Sequence, residues 1–229
     1  TLEVNPEFCD AERLTAWRAA GVNRISLGTQ SFCDETLARL GRTHTSAEAR
    51  AAVQRAHQAG FERVSVDIMF AVPGEPQGRL ERDLAAVTSL PVEHISVYEL
   101  TVEPRTAWAA RVARGELSQY DEARAGDDSR RIPEALAGAG FERYEVSSYA
   151  RAGGESLHNS AYWVGDEYIG LGVGAHSLRI DGGVATRRAN ARSLKRYLEG
   201  RARAPELEQL SPEEHARELV MVGLRTADG

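Results

Sequence analysis

The feature that most constrains this chain is an alternation repeated up to about residue 140. A short apolar segment is followed each time by an amphipathic one, then by a glycine or similar stop. Leu2–Val4, Arg24–Leu27, Arg63–Phe70 and His94–Leu100 read as strands. Ala11–Ala20, Asp34–Leu40 with Ser46–Ala59, and Gly78–Ser89 read as helices. Asp10 and Ser46 stand where N-caps belong, and Gly21 and Gly60 where helices stop. Strands alternating with such helices imply parallel βα units. The near-continuous apolar run Val64-Ser-Val-Asp-Ile-Met-Phe70 fits a sheet covered on both faces. The expected class is therefore α/β, either a TIM-like barrel, whole or partial, or an open doubly wound sheet. A helix over about Gln119–Ala139 and a strand at Arg143–Val146 continue the pattern.

After Ser147 the texture changes. Tyr144, Tyr149, Tyr162, Trp163 and Tyr168 crowd together, followed by a glycine-rich run from Tyr168 to Ser177 that reads as a strand. Asp181-Gly-Gly183 signals a turn. Helices are expected at Ala191–Glu199 and Pro212–Arg225, the second with Ser211 and Glu214 as a capping box. The expected division is a partial (β/α) barrel over 1–146 and a mixed strand/helix region over 147–229. Thr1–Asn5 already reads as a strand and the last helical pattern stops abruptly, so an excerpt of a longer polypeptide is expected.

Composition narrows the classes. The chain has 229 residues and a formal net charge of −6, which disfavours a nucleic-acid partner. No run approaches the roughly 18 apolar residues of a membrane span. The opening TLEVNPEFCD lacks the basic start and apolar core of a signal peptide, so the cytoplasm is the expected location. Cys9 and Cys33 are too few for a disulfide framework or, alone, for a metal cluster.

In a βα barrel, chemistry sits at the C-terminal ends of strands. Glu3, Gln30, Asp67 and Thr101 fall at or near such ends, with Arg42 in a loop that can reach them. Taken singly, Glu3, Gln30 and Thr101 read as solvated loop residues. Together they imply a polar ligand with hydroxyl, amine and carboxylate groups. Asp67, set among Val66, Ile68 and Met69, requires a partner because a buried lone carboxylate costs several kcal/mol. Two readings stand open: an ion pair with Arg24 or Arg42, or a ligand-binding acceptor. Val72-Pro-Gly-Glu75 reads as a turn. The Gly170-Leu-Gly-Val-Gly174 run lacks the G-x-G-x-x-G spacing of a dinucleotide site and reads as a strand that packs tightly or approaches a flat ligand closely. His158-Asn-Ser-Ala-Tyr-Trp163 offers a metal- or heme-type ligand in an exposed loop; a plain loop histidine beside core aromatics is the competing reading. His176 is a weaker candidate of the same kind.

These residues, in order and spacing, resemble radical SAM proteins similar to oxygen-independent coproporphyrinogen III oxidase. The resemblance is carried by Glu3, Leu27-Gly-Thr-Gln30-Ser-Phe, Leu40-Gly-Arg42 and Asp67-Ile-Met-Phe-Ala-Val-Pro-Gly74. His94-Ile-Ser-Val-Tyr-Glu-Leu100, the HNxxYW stretch and Gly170–His176 point to the heme-chaperone branch of that family. The resemblance implies a partial (β/α)₆ barrel followed by a helical C-terminal region. It implies that Glu3, Gln30, Arg42, Asp67 and Thr101 bind S-adenosylmethionine. Arg42 would fork the methionine carboxylate, Glu3 accept from its amino group, and Gln30 and Asp67 bind ribose hydroxyls. It implies heme contacts at His158, Tyr162 and Trp163, with His158 a candidate heme-iron ligand. Family members also carry a CxxxCxxC loop for a [4Fe–4S] cluster and a GGTP-like segment. Neither occurs in this sequence, so the chain alone is expected not to cleave S-adenosylmethionine.

The implied function is a heme chaperone that delivers heme to acceptor hemoproteins, membrane-associated ones included, without itself spanning a membrane. The alternative is oxidative decarboxylation of coproporphyrinogen III by 5′-deoxyadenosyl radical chemistry. A third reading, free of the resemblance, is a metal-independent barrel enzyme acting on a small polar metabolite through Glu3, Gln30, Arg42 and Asp67.

Overall fold

The computed structural model describes residues 1–116, 120–199 and 206–228. Two compact units, Thr1–Glu155 and Ser156–Gly229, divide the chain. In the first, β1 (Leu2–Val4), β2 (Arg24–Gln30), β3 (Arg63–Phe70) and β4 (His94–Glu99) run parallel and adjacent. Helix α1 (Ala11–Ala19) connects β1 to β2. Helices α2 (Asp34–Arg39) and α3 (Ser46–Gln58) connect β2 to β3, and α4 (Arg79–Thr88) connects β3 to β4. This is the parallel βα array of a partial barrel, as the alternation predicts.

Helices α5 (Ala107–Ala113) and α6 (Glu122–Ala137) follow, then β5 (Glu142–Arg143) and β6 (Ser148–Ala150). Strand β6 pairs antiparallel with β4 and with β5, giving the order β1-β2-β3-β4-β6-β5. The direction changes because only a short connection separates β5 from β6, whereas a parallel pair needs a crossover of about a dozen residues. β6 lies past residue 146 yet belongs to the first unit through β4. The strand expected at Arg143–Val146 reduces to Glu142–Arg143. Gln119, where the long helix was expected to begin, lies outside the described residues. α5 carries no periodicity strong enough to have been read.

The core is where the alternation puts it. Leu14, Val53, Leu84 and Leu136 from the helices pack with Ile25, Val66, Ile68 and Ile95 from the strands, all essentially without exposure. Each such aliphatic contributes roughly 1.5–3 kcal/mol by leaving water. Central strands β2 and β3 are covered on both faces, hence their unbroken apolar character. Gly21 and Gly60 adopt φ +93° and +84° just past α1 and α3, a left-handed backbone that stops a helix at little cost only with glycine.

The second unit holds a three-stranded antiparallel sheet: β7 (His176–Asp181), β8 (Val184–Ala189) and β9 (Glu206–Leu210). Gly182 and Gly183, both left-handed, turn β7 into β8, as Asp181-Gly-Gly183 signals. Around the sheet are α7 (Leu157–Trp163), α8 (Leu194–Leu198) and α9 (Pro212–Gly223). The Ser211/Glu214 capping box forms as predicted. Two expectations are corrected. The Gly170–Gly174 run is a bent loop, not a strand: Gly172 and Gly174 have φ +100° and +68°, outside the strand region. Its close packing is real, since a Cβ on Gly170 would collide with the His176 carbonyl oxygen. The HNxxYW stretch is helical, not a loop.

The N-cap of α3 is also corrected, from Ser46 to Thr45. Thr45 Oγ1 accepts from Glu48 N (3.2 Å), and Glu48 Oε2 accepts from Thr45 N (2.7 Å), a reciprocal capping box. Thr45→Ala is expected to lower stability by about 1 kcal/mol, while Ser46→Ala stays within about 0.5 kcal/mol. Urea denaturation of the two variants checks the assignment.

Candidate functional site

The C-terminal ends of β2, β3 and β4 open onto a cleft of about 330 Å³. Gln30, Arg42, Met69, Leu100, Thr101 and Trp108 are among its lining residues. Three of the predicted residues thus meet: Gln30 from the last position of β2, Arg42 from the loop after α2, and Thr101 just beyond β4. Thr101 is exposed.

Gln30 reaches the cleft through an irregularity. The β2–β3 register shifts between Leu27 and Gln30, and Gln30 takes φ +67°. A non-glycine residue in that region is uncommon and persists where its surroundings hold it. Its Oε1 is buried with no hydrogen-bond partner among the described residues. An acceptor in that state costs about 1–3 kcal/mol unless a donor arrives.

Arg42 spreads its guanidinium over two neutral oxygens. Nη1 donates to Asn5 Oδ1 (3.4 Å) and Nη2 to the Gly28 carbonyl (3.2 Å). A Cβ at Gly28 would lie 3.3 Å from Arg42 Nη2 and 3.1 Å from Asn5 Oδ1, so the missing side chain makes room for this approach. No carboxylate of a described residue forms a salt bridge with Arg42, whose charge stays available to an anionic group in the cleft.

Glu3 and Asp67 are not among the lining residues. Glu3, on β1, is exposed. Asp67, in mid-β3, pairs in register with Ser96 of β4 and accepts from Ser26 Oγ at 3.5 Å. Burial pushes its carboxyl up to about 6. The charge of Glu3 adds to that rise, while hydrogen bonds from Ser96 and Ser26 and the charge of Arg24 oppose it. The ion-pair reading of Asp67 thus survives only as a charge effect of Arg24. Two residues back on β4, His94 bonds Ser65 Oγ and the Tyr144 hydroxyl, both at 2.8 Å. Burial, with Arg24 nearby, holds its imidazole down to about 3 and therefore neutral. Ser26 and Ser96 escaped the sequence reading; Ser96 stands opposite Asp67 only through the β3–β4 register, which residue types do not reveal.

In the second unit, His158 and Tyr162 lie one turn apart on α7, both exposed, with His158 Nε2 2.9 Å from the Tyr162 hydroxyl. Tyr162 in turn meets Tyr168 edge to face, with centroids 4.7 Å apart. Ile169 and Leu171, each 85% exposed, follow in the glycine-rich loop. Trp163 Nε1 is buried with no partner among the described residues, and Arg225 lies 5.9 Å from its ring.

A family model described as the Radical SAM superfamily matches residues 1–87. Over 232 residues the chain is 35% identical to the heme chaperone HemW of Bacillus subtilis (strain 168), covering 100% of this chain and 60% of that protein. It is 42% identical over 174 residues to the heme chaperone HemW of Mycobacterium tuberculosis, covering 76% of this chain and 45% of that protein. The chain therefore spans about half the length of these curated relatives. The structure of Escherichia coli coproporphyrinogen III oxidase (HemN), a radical SAM enzyme, superposes with a TM-score of 0.77 at 22% identity, over 98% of this chain and 54% of that one. That likeness shows a shared fold.

The residues present can be held against the groups such relatives imply. S-adenosylmethionine fits: the orphaned Gln30 Oε1 needs a donor and Arg42 offers an uncommitted charge. A [4Fe–4S] cluster does not fit. The two cysteines are Cys9, fully buried, and Cys33, and no group of three His, Cys, Asp or Glu suited to a metal occurs among the described residues. A flat apolar ligand such as heme fits the exposed ring and aliphatic surface around His158.

Asp67 makes the stability of the first unit depend on pH. Its folded pKa is raised, so the folded state holds the proton more tightly and stability falls as pH rises from about 4 to about 6. Asp67→Asn, which removes the charge, is expected to stabilise the chain by on the order of 2 kcal/mol at pH 8 and by little at pH 4. Chemical denaturation at the two values measures this; an equal effect at both would contradict it.

Proposed function

The chain is HemW-like with a radical SAM fold, and from that premise we propose that it serves a heme chaperone that binds heme and passes it to acceptor hemoproteins in the cytoplasm. The observation that carries the reading is the His158–Tyr162–Tyr168 array, its first two members exposed and its third half-buried, with the exposed Ile169 and Leu171 following Tyr168 in the chain. A heme macrocycle is flat and apolar, and aromatic faces with exposed aliphatics suit it. Bound heme would supply an iron atom that accepts an imidazole lone pair. On this chain, His158 offers that lone pair once its Nε2 gives up the Tyr162 hydroxyl, and Tyr162 keeps the ring oriented until then.

In the barrel unit, Arg42 holds the carboxylate of S-adenosylmethionine as a two-pronged donor. Gln30 accepts from a ribose hydroxyl through its otherwise unpaired Oε1. Thr101, which lines the same cleft, would contact the adenine. Glu3 and Asp67, which do not line this cleft, are assigned by the resemblance alone, Glu3 to the amino group and Asp67 to a ribose hydroxyl. No step through an iron–sulfur cluster is assigned to this chain, whose thiols do not suit one.

Hemin titration followed in the Soret band tests the heme half. The wild-type chain is expected to give a saturable, shifted band that His158→Ala abolishes. Identical titrations would remove His158 from the reading, and no specific band in either protein would overturn heme binding by this chain. For the barrel half, calorimetry should show saturable S-adenosylmethionine binding that Arg42→Ala weakens at least about tenfold, the scale of one charge-assisted contact. Binding indifferent to Arg42 would contradict the assignment.

A further inference from the structure

We propose that Asp83 of α4, backed by Arg79, is a positioning residue that holds Gln30 at the cleft. The proposal rests on the reading of Gln30 as an S-adenosylmethionine ligand and deepens it. Gln30 ends β2 in a left-handed backbone, and the residues just after it are tied down from across the sheet end. Asp83 Oδ1 accepts from Phe32 N at 2.8 Å, and Oδ2 accepts from Ser31 Oγ at 2.6 Å. Ser31 Oγ also accepts from Cys33 N at 3.1 Å. The segment 31–33, directly after Gln30, is thus pinned to one carboxylate.

Asp83 is itself held. Arg79 Nη1 donates to Asp83 Oδ2 (2.8 Å) and to the Met69 carbonyl (2.7 Å). Its Nη2 donates to Glu75, which also accepts from Val72 N. Arg79, Glu75 and Asp83 are all buried. Met69 lines the same cleft as Gln30, and Ala71, just past β3, is a second left-handed non-glycine residue at φ +59°. One buried ion network therefore fixes the ends of both β2 and β3. An apolar helix side could pack here as stably, but it could not restrain the backbone donors that follow Gln30.

The test is a mutant cycle on the whole chain, with S-adenosylmethionine as the probe. Asp83→Asn is expected to weaken binding roughly tenfold, within the usual range for members of one network. In a Gln30→Ala background the same change should add little, because its effect passes through Gln30. Ser31→Ala, which leaves the ion pairs intact, should show the same dependence on Gln30 if Asp83→Asn fails to fold. Hydrogen exchange at the Phe32 amide, with no ligand present, should quicken in Asp83→Asn and not in Gln30→Ala. Equal losses in both backgrounds, or unchanged exchange at Phe32, would overturn the proposal. A wild-type chain that binds no S-adenosylmethionine would overturn the ligand reading, while the exchange experiment still decides whether Asp83 holds the segment.

Discussion

The guanidinium of Arg79 has no exposure to water, and a charge so placed is tolerable only beside counter-charges. Glu75 and Asp83 supply them and the Met69 carbonyl takes a further bond, while Nε has no partner among the described residues. The carboxylates accept further bonds beyond those from Arg79. Asp83 binds the segment after β2, and Glu75 accepts from Val72 N and the Tyr120 hydroxyl. Tyr120 reaches Asp128 of α6. A single buried cation thus links α4 to two strand ends and to α6. Two of the three left-handed non-glycine residues among those described, Gln30 and Ala71, sit beside this network. A fold built of parallel strands has irregular backbone mainly at its strand ends, which is where a ligand can enter and where external restraint is needed.

The interior between the strands is not purely apolar. Ser26, Ser65, Asp67, His94 and Ser96 form a polar seam, and burial drives its two titratable members toward neutrality from opposite sides. Asp67 moves up and His94 moves down. Such groups are retained at a cost to stability, a common mark of a site shaped for binding rather than for packing. The cleft walls are mixed as well. Leu40, Met69, Leu100, Val102 and Trp108 give the lining its apolar part, and Gln30, Arg42, Thr101, Glu103 and Thr106 its polar groups. In the second unit the arrangement is the reverse: exposed rings and aliphatic side chains lie on the surface without cover from that unit, a surface suited to a flat apolar molecule.

The sequence by itself determined the βα order, because helix and strand periods differ and each must bury an apolar side. It located β1 to β4 within a few residues, the stops at Gly21 and Gly60, and the candidate residues at the strand ends. It misjudged the cap of α3, since Thr45 and Ser46 are both good caps and only the bonds to Glu48 separate them. It read the glycine-rich run as a strand because alternation of glycine with apolar residues imitates strand period, whereas left-handed torsions are invisible in residue types. Tertiary structure alone decided that β6 turns back antiparallel on β4, and that Gln30, Arg42 and Thr101 share a cleft while Glu3 and Asp67 stand outside its lining. Each of these depends on contacts between residues far apart in the chain, and local pattern carries no information about which distant partner supplies the missing charge or hydrogen bond.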